Sequence, residues 1–323
     1  MKKLNWAIIG PGAIANEFAK ALGKEKENLI AVGARNLEKA TKFAEQFNIP
    51  KVYDDFDALL ADDEIDVVYI STPHTFHYEF MIKSLQHGKH ILCEKAITVN
   101  GTQLNEIMSL AEEKHLAVAE AMTIYHMPLF KKLHDLFDSG KLGKLKMIQV
   151  SFGSCKEDNP NNRFFNPDLA GGALLDIGVY ALSLVRYFLS SQPNEILTTV
   201  KKYQTGVDEQ SGIILKNSDD EMAVVALTMR AKMKKQAIIA GDAGYIVVED
   251  FPRATKAVIT YTEGVRVETV EYGKTELALH YEIQAMNDYI LNQTDNRTLG
   301  LSSDVQAIMD EVRKQWGIRY SFE

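Results

Sequence analysis

With 323 residues, of which 46% are apolar and 25% charged, the chain is long for a single hydrophobic core and suits two domains of ordinary globular composition. A net charge of -8 argues against nucleic acid as a partner, which needs a basic stripe to neutralise phosphates; Lys232, Lys234 and Lys235 read as a solvated strand or turn. Two cysteines, Cys93 and Cys155, exclude a disulfide scaffold and a structural zinc site and fit a reducing cytoplasm, and no apolar run approaches the ~18 residues of a membrane span.

In chain order, the charged opening Met1-Lys2-Lys3 has too short an apolar stretch for a signal peptide before Gly10-Pro11-Gly12 interrupts it. Residues 4–9 read as a first strand, 13–22 as a helix, 29–34 as a strand and 37–47 as a helix. A β-branched run follows at 67–71, then a helix at 79–87, a short strand at 90–93 and a helix at 102–114. This alternation predicts a doubly wound parallel sheet with helices on both faces, a Rossmann domain over residues 1–121. Beyond residue 122 the period changes to two. Strands are predicted at 145–152, 195–202, 212–215, 222–229, 236–240, 245–249, 256–261 and 265–272. They imply a C-terminal α+β domain, residues 122–323, built on an open, mostly antiparallel sheet with one covered face. Helices are expected at 172–188 and 277–291, and a last one from about Ser303 to Trp316, capped by Ser302 or Ser303.

Gly10-Pro11-Gly12-Ala13-Ile14-Ala15 has the pattern G-x-G-x-x-A between a strand and a helix. Gly10 permits a tight turn, Gly12 lets backbone approach a pyrophosphate, and Ala15 allows close helix–sheet packing. Ala13 and Ile14 open the helix, whose N-terminal N–H groups face the phosphates. The second strand ends at Arg35-Asn36, where an acidic residue would favour NAD. A guanidinium suits a 2′-phosphate and stacks on adenine, so NADP is expected over NAD, with Asn36 beside Arg35 as a further cofactor contact.

Three further segments follow in order: Ser71-Thr72-Pro73-His74-Thr75-Phe76-His77, Cys93-Glu94-Lys95-Ala96, and Gly171-Gly172-Ala173-Leu174-Leu175-Asp176-Ile177-Gly178-Val179-Tyr180. Together with the glycine turn they resemble the glucose–fructose oxidoreductase / inositol dehydrogenase (Gfo/Idh/MocA) family. The resemblance spans nearly the whole chain. Tyr180, where many relatives carry histidine, resembles the branch with dimeric dihydrodiol dehydrogenases, xylose dehydrogenases and glucose–fructose oxidoreductase, and Phe165-Asn166-Pro167 and Glu120-Ala121-Met122 look like the dihydrodiol dehydrogenases in particular. The resemblance implies hydride transfer between nicotinamide and a carbinol carbon of a sugar, polyol or dihydrodiol. It also implies a second domain whose open sheet joins subunits, so a homodimer or higher homo-oligomer is expected.

Residue by residue, the resemblance makes Lys95 the catalytic amine of a Glu-Lys-Pro signature, with Glu94 beside it. Ala96 replaces the proline. A cis peptide without proline costs ~2.5–4 kcal/mol, so trans is expected. Asp176 and Tyr180, four apart, share a helix face. Free tyrosine titrates near 10, and Lys95 nearby would lower it toward working pH, making Tyr180 the acid/base group. Asp176 orients substrate or lysine. Ser71, Thr72, Pro73 and His74 line the cofactor; His77 either meets a ligand there or simply begins a helix. Arg163 reaches a substrate oxygen or a cofactor phosphate, or is a plain loop arginine, and Tyr125 is a candidate pocket wall. The other histidines show no metal-ligand spacing, and no metal is expected. From another class, the alternative is a dinucleotide-binding sensor without turnover; the presence of both Lys95 and Tyr180 counts against it.

Overall fold

The computed structural model describes residues 3–25, 27–294 and 297–323. Two units emerge. The first comprises residues 1–122 and 279–300, the second 123–278 and 301–323. A single cut after residue 121 therefore misses a return of the chain to the first unit.

The first unit alternates β1 (Asn5–Ile9), α1 (Ala13–Glu25), β2 (Asn28–Gly33), α2 (Leu37–Phe47), β3 (Lys51–Tyr53), α3 (Phe56–Leu60), β4 (Val67–Ile70), α4 (His77–Gln86), β5 (His90–Glu94), α5 (Gly101–Lys114) and β6 (Val118–Ala121). All six strands are parallel, in the order β3-β2-β1-β4-β5-β6. The short β3, α3 and β6 have no counterpart in the sequence reading. Strands β1 and β4 are buried almost throughout, as parallel strands covered on both faces must be. One face packs Phe18, Leu22 and Phe43 over Trp6, Ile8 and Tyr69; the other packs Leu59, Phe80, Leu85, Leu104 and Ile107 over Ile9, Val68 and Ile91. Leu279, Ile283 and Met286 complete the first of these cores. That packing, which no local pattern encodes, draws residues 279–300 into this unit.

The second unit contains α6 (Thr123–His126), α7 (Pro128–Asp138), β7 (Leu145–Gly153), α8 (Val179–Phe188), β8 (Glu195–Lys202), β9 (Asp208–Lys216), β10 (Met222–Thr228), β11 (Gln236–Gly241), β12 (Gly244–Glu249), β13 (Lys256–Tyr261) and β14 (Val267–Glu271). The helices α9 (Ala278–Leu291) and α10 (Arg297–Trp316) follow. The sheet runs β14-β13-β12-β11-β7-β10-β9-β8 and is antiparallel except between β7 and β10. One face, carrying Ile148, Val150, Val225, Leu227 and Ile239, is buried, with α8 packed on β7 and β10. The alternate residues include exposed Met147, Leu197, Ile214 and Tyr245, as an open face requires.

Three details differ from expectation. α10 starts at Arg297, so Ser302 and Ser303 lie inside it rather than capping it; Ser302 is buried. The helix expected over 172–188 opens with a π-helical turn, Leu174–Gly178, before α8. The helical stretch Pro167–Phe188 is long and apolar enough to cross a membrane, contrary to the expectation that no segment approaches that size. Its most apolar 18-residue window is 83% buried inside the structure, as a core helix is.

Candidate active site

β1 delivers the chain to Gly10 at φ +93°, a left-handed conformation that favours glycine. A Cβ there would meet Thr72 Cγ2 at 3.0 Å and the Ser71 carbonyl at 3.1 Å. The loop after β4 thus packs directly on the turn. Ser71 secures it: its N–H donates to the Ile9 carbonyl at 3.0 Å and its hydroxyl to the Gly10 carbonyl at 2.8 Å. Gly12 differs. A Cβ there would find nothing nearer than the Gly10 carbonyl at 4.0 Å, so no protein atom demands glycine. The space left over the N-terminus of α1 is what a phosphate needs. Ala13 is exposed and Ala15 fully buried against the sheet, so the helix packs closely, and its first-turn N–H groups have no intrahelical acceptor. The Thr72 hydroxyl is buried without a hydrogen-bond partner among the described residues. Room at Gly12 and an orphaned hydroxyl beside the turn both fit a dinucleotide.

Arg35 is exposed at the end of β2, its guanidinium 5.1 Å from the centre of the Phe76 ring. Asn36 caps α2, accepting from the Lys39 N–H at 2.9 Å. Its amide oxygen therefore has a structural duty beyond the expected ligand contact. Pro73 is exposed and His74 half-buried. His74 Nε2 lies 3.1 Å from the Lys95 carbonyl. His77 is fully buried, with Nδ1 3.0 Å from the Ala96 carbonyl and Nε2 2.8 Å from the Thr72 carbonyl. Both nitrogens face the protein, so His77 is not placed to meet a ligand, and it does begin α4. Burial pushes its pKa down, against the pull of the carbonyls of Thr72 and Ala96.

Lys95 follows the last residue of β5, at the C-terminal edge where parallel sheets of this order hold ligands. The peptide to Ala96 is cis, not trans as the missing proline led us to expect. Side chains bind the backbone on both sides of it. Glu94 Oε2 accepts the Lys95 N–H at 3.3 Å and Glu120 Oε1 the Ile97 N–H at 3.0 Å. The other oxygen of Glu94 accepts from the Tyr69 hydroxyl at 2.5 Å; the Tyr69 ring is stacked on Phe18, with centroids 3.7 Å apart. Tyr69 has no counterpart in the sequence reading, and Glu120 enters it only as part of the run Glu120-Ala121-Met122, with no role of its own. A carboxylate in the apolar run Val118-Ala119-Glu120-Ala121 was the available signal, since a buried carboxylate needs donors.

In the second unit the double glycine builds the turn that carries Asp176 and Tyr180. Gly172 has φ +131°, and a Cβ on it would collide with the Asp208 carboxylate. Asp208 accepts the Leu174 N–H at 2.6 Å, holding the start of the π-helical turn, and the Tyr320 hydroxyl donates to the Gly171 carbonyl at 2.7 Å. Asp208 too was missed; it stands at a strand start with no local motif. Burial pushes its pKa up to about 6, against the Leu174 N–H. Asp176 is nearly buried, and Arg163, exposed, approaches its Oδ1 at 3.7 Å. The Arg163 guanidinium also lies 4.3 Å from the centre of the Phe164 ring. Tyr180 is half-buried, 6.3 Å from Phe152 between ring centres. Tyr125 is buried on α6, its ring 6.3 Å from that of Tyr187. Among the described residues no cluster is suited to hold a metal ion.

A parallel sheet of this order, with a phosphate cradle after its first strand and an amine after its fifth, defines a nicotinamide-dinucleotide oxidoreductase. Comparison with known proteins agrees. Residues 4–122 match the oxidoreductase family with an NAD-binding Rossmann fold, and residues 130–247 match the GFO/IDH/MocA C-terminal domain. A trans-1,2-dihydrobenzene-1,2-diol dehydrogenase of Xenopus tropicalis is 31% identical, covering 98% of each chain. The NADP(+)-dependent scyllo-inositol 2-dehydrogenase IolU of Bacillus subtilis is 30% identical over the same shares. Among solved structures, levoglucosan dehydrogenase in complex with NADH and levoglucosan superposes with a TM-score of 0.88 at 19% identity, covering 98% of each chain. The 3-ketoreductase KijD10 of Actinomadura kijaniata, with NADP and TDP-benzene, gives 0.87 at 24%, covering 97% of this chain and 98% of that one. The chain belongs to the Gfo/Idh/MocA oxidoreductase family and is an NAD(P)-dependent oxidoreductase.

The raised pKa of Asp208 predicts a pH effect. A carboxyl at about 6 folded and 3.8 unfolded contributes stability that is complete below pH 3.8 and lost as pH rises through 6. Relative to wild type, Asp208→Asn is expected to gain about 2–3 kcal/mol between pH 4 and pH 7. Paired denaturant titrations measure this, and a pH-independent difference between the two proteins would refute it.

Proposed function

We propose that the chain transfers a hydride between NADP and the carbinol carbon of a secondary alcohol of a sugar, polyol or trans-dihydrodiol, in either direction. The observation that carries the reading is Lys95, held by its backbone at the end of β5 in a sheet whose glycine turn fits a pyrophosphate. Bound NADP supplies the hydride acceptor for oxidation, and NADPH the donor for reduction. Ala13, Ile14 and Ala15 offer backbone N–H groups to its phosphates; Thr72 offers its hydroxyl. Ser71, Pro73, His74 and Glu94 shape the surrounding wall, with Asn36 beside Arg35. Lys95 donates a hydrogen bond to the substrate oxygen and polarises it. Tyr180 takes the hydroxyl proton as the carbinol C–H leaves as hydride, and returns it in reduction. Asp176 orients the substrate or the lysine, with Arg163 and Tyr125 as further substrate contacts. The named relatives, dehydrogenases of a dihydrodiol and of scyllo-inositol, support this substrate class.

Lys95→Ala and Tyr180→Phe are expected to lower kcat by at least 100-fold while NADPH still binds, as followed by its fluorescence. The assay is a panel of aldoses, inositols and trans-dihydrodiols with NADP. Normal turnover by both variants would overturn the mechanism.

Arg35 supports NADP over NAD, because an exposed guanidinium at the end of β2 pairs with a 2′-phosphate and has no such partner on NAD. Hydrogen bonds to charged groups contribute about 1.5–3 kcal/mol. Arg35→Ala is therefore expected to raise KM for NADP by roughly 10- to 100-fold and leave KM for NAD within about twofold. Equal losses with both cofactors would remove Arg35 from this role.

The open face of the second sheet supports a homodimer or higher homo-oligomer. Register places Leu197, Ile214, Val224, Gln149, Ile238, Val247 and Val258 in one cross-strand row. Six of the seven are apolar, and Leu197 is 66% exposed, which marks an association surface. Wild type is expected to sediment as a dimer or larger, and Ile214→Lys with Ile238→Lys as a monomer. A monomeric wild type would refute this. The free thiols of Cys93 and Cys155 support a reducing, cytoplasmic setting.

A further inference from the structure

The backbone around Lys95 is held mainly by side chains. The Lys95 N–H goes to Glu94 and the Lys95 carbonyl to His74. The Ala96 carbonyl meets His77 and the Ile97 N–H goes to Glu120. The Ile97 carbonyl accepts from the Cys93 thiol at 3.9 Å. Such a segment has its conformation set by whichever groups reach it. His77 lies against the backbone of two segments at once. Its Nδ1 faces the Ala96 carbonyl, in the residue after Lys95, and its Nε2 the Thr72 carbonyl, in the loop packed on the glycine turn; the neutral ring donates to one of them, the imidazolium to both. The ring is fully buried, so water cannot replace either contact. His74 and His77 stand edge to face, 5.7 Å apart between ring centres.

We propose that His77 is a positioning residue for Lys95, a clasp that fixes the lysine segment to the Thr72 loop, with Glu120 securing the segment's far side. It rests on the reading of Lys95 as the catalytic amine. The clasp sets where the Lys95 stem begins, and a four-carbon stem anchored to a displaced backbone carries its ammonium away from the substrate oxygen. Sub-ångström placement of that kind governs rate more than affinity.

Hydrogen exchange and kinetics on the full chain test this together. In His77→Gln and His77→Ala, amide exchange of residues 93–99 is expected to accelerate at least tenfold without NADP, while strand β1 stays protected. With the panel substrate turned over fastest, kcat falls at least tenfold and KM changes less than threefold. Adding His77→Gln to Lys95→Ala lowers kcat no further, because a clasp that acts through the lysine has nothing left to position. Glu120→Gln, which keeps an acceptor for the Ile97 N–H, loses at least fivefold less kcat than Glu120→Ala. If His77→Ala fails to fold, His77→Gln and the Glu120 pair decide. Unchanged exchange at 93–99 in His77→Gln overturns the proposal, as does faster exchange with wild-type kcat. A separate result, full activity in Lys95→Ala, defeats the functional reading instead and leaves the exchange data to judge the clasp alone.

Discussion

The absence of one methyl group at Gly10 governs the ligand-binding edge of the first unit. Because that position carries no Cβ, the loop after β4 lies directly on the glycine turn, with Ser71 bonded to two successive carbonyls of the first strand's end. Thr72 is thereby carried beside the cradle, and the Thr72 carbonyl comes within reach of His77. From His77 the same chain of contacts continues to Ala96 and the backbone that bears Lys95. The glycine turn and the lysine proposed as catalytic are therefore two ends of one chain of contacts. A side chain at position 10 would disturb both, although it touches neither phosphate nor substrate.

The second unit solves a similar problem with charge. A turn tight enough to present Asp176 and Tyr180 from one π-helical start leaves backbone donors inside the protein. The Asp208 carboxylate accepts one of them, the Leu174 N–H, and Gly172 leaves the room for it. Burying a carboxylate is costly, and its raised pKa records that cost. The strain-prone backbone and the buried charge sit next to the residues proposed for proton transfer, where departures from ideal local structure are commonly found.

Much of this was legible in the sequence, for identifiable reasons. The glycine turn, Arg35, Lys95, Asp176 and Tyr180 lie in short local patterns, and the long strands of the second sheet show a clear period of two. Elements of three to five residues, such as β3, α3 and α6, have too few residues for any period. The start of α10 was misplaced because serines inside a helix look like caps when the preceding turn carries Gly300. His77 was read as an open choice because its two carbonyl partners are 5 and 19 residues away. Asp208 and Glu120 act on backbone 34 and 23 residues distant. No pattern of neighbours reports such pairings; only the folded chain brings them together.

The return of α9 to the first unit bears on how the protein is made. Leu279, Ile283 and Met286 close one face of the Rossmann core, yet the 156 residues from 123 to 278 are synthesised before them. At translation rates of about 5–20 residues per second, the N-terminal segment waits roughly 8–30 s for its last core residues. During that interval Phe18, Phe43 and Trp6 lack part of their cover on the nascent chain. The unit begun first thus closes its core only after the 156-residue stretch of the other unit has been made, and the length of that stretch sets how long its apolar face stays uncovered.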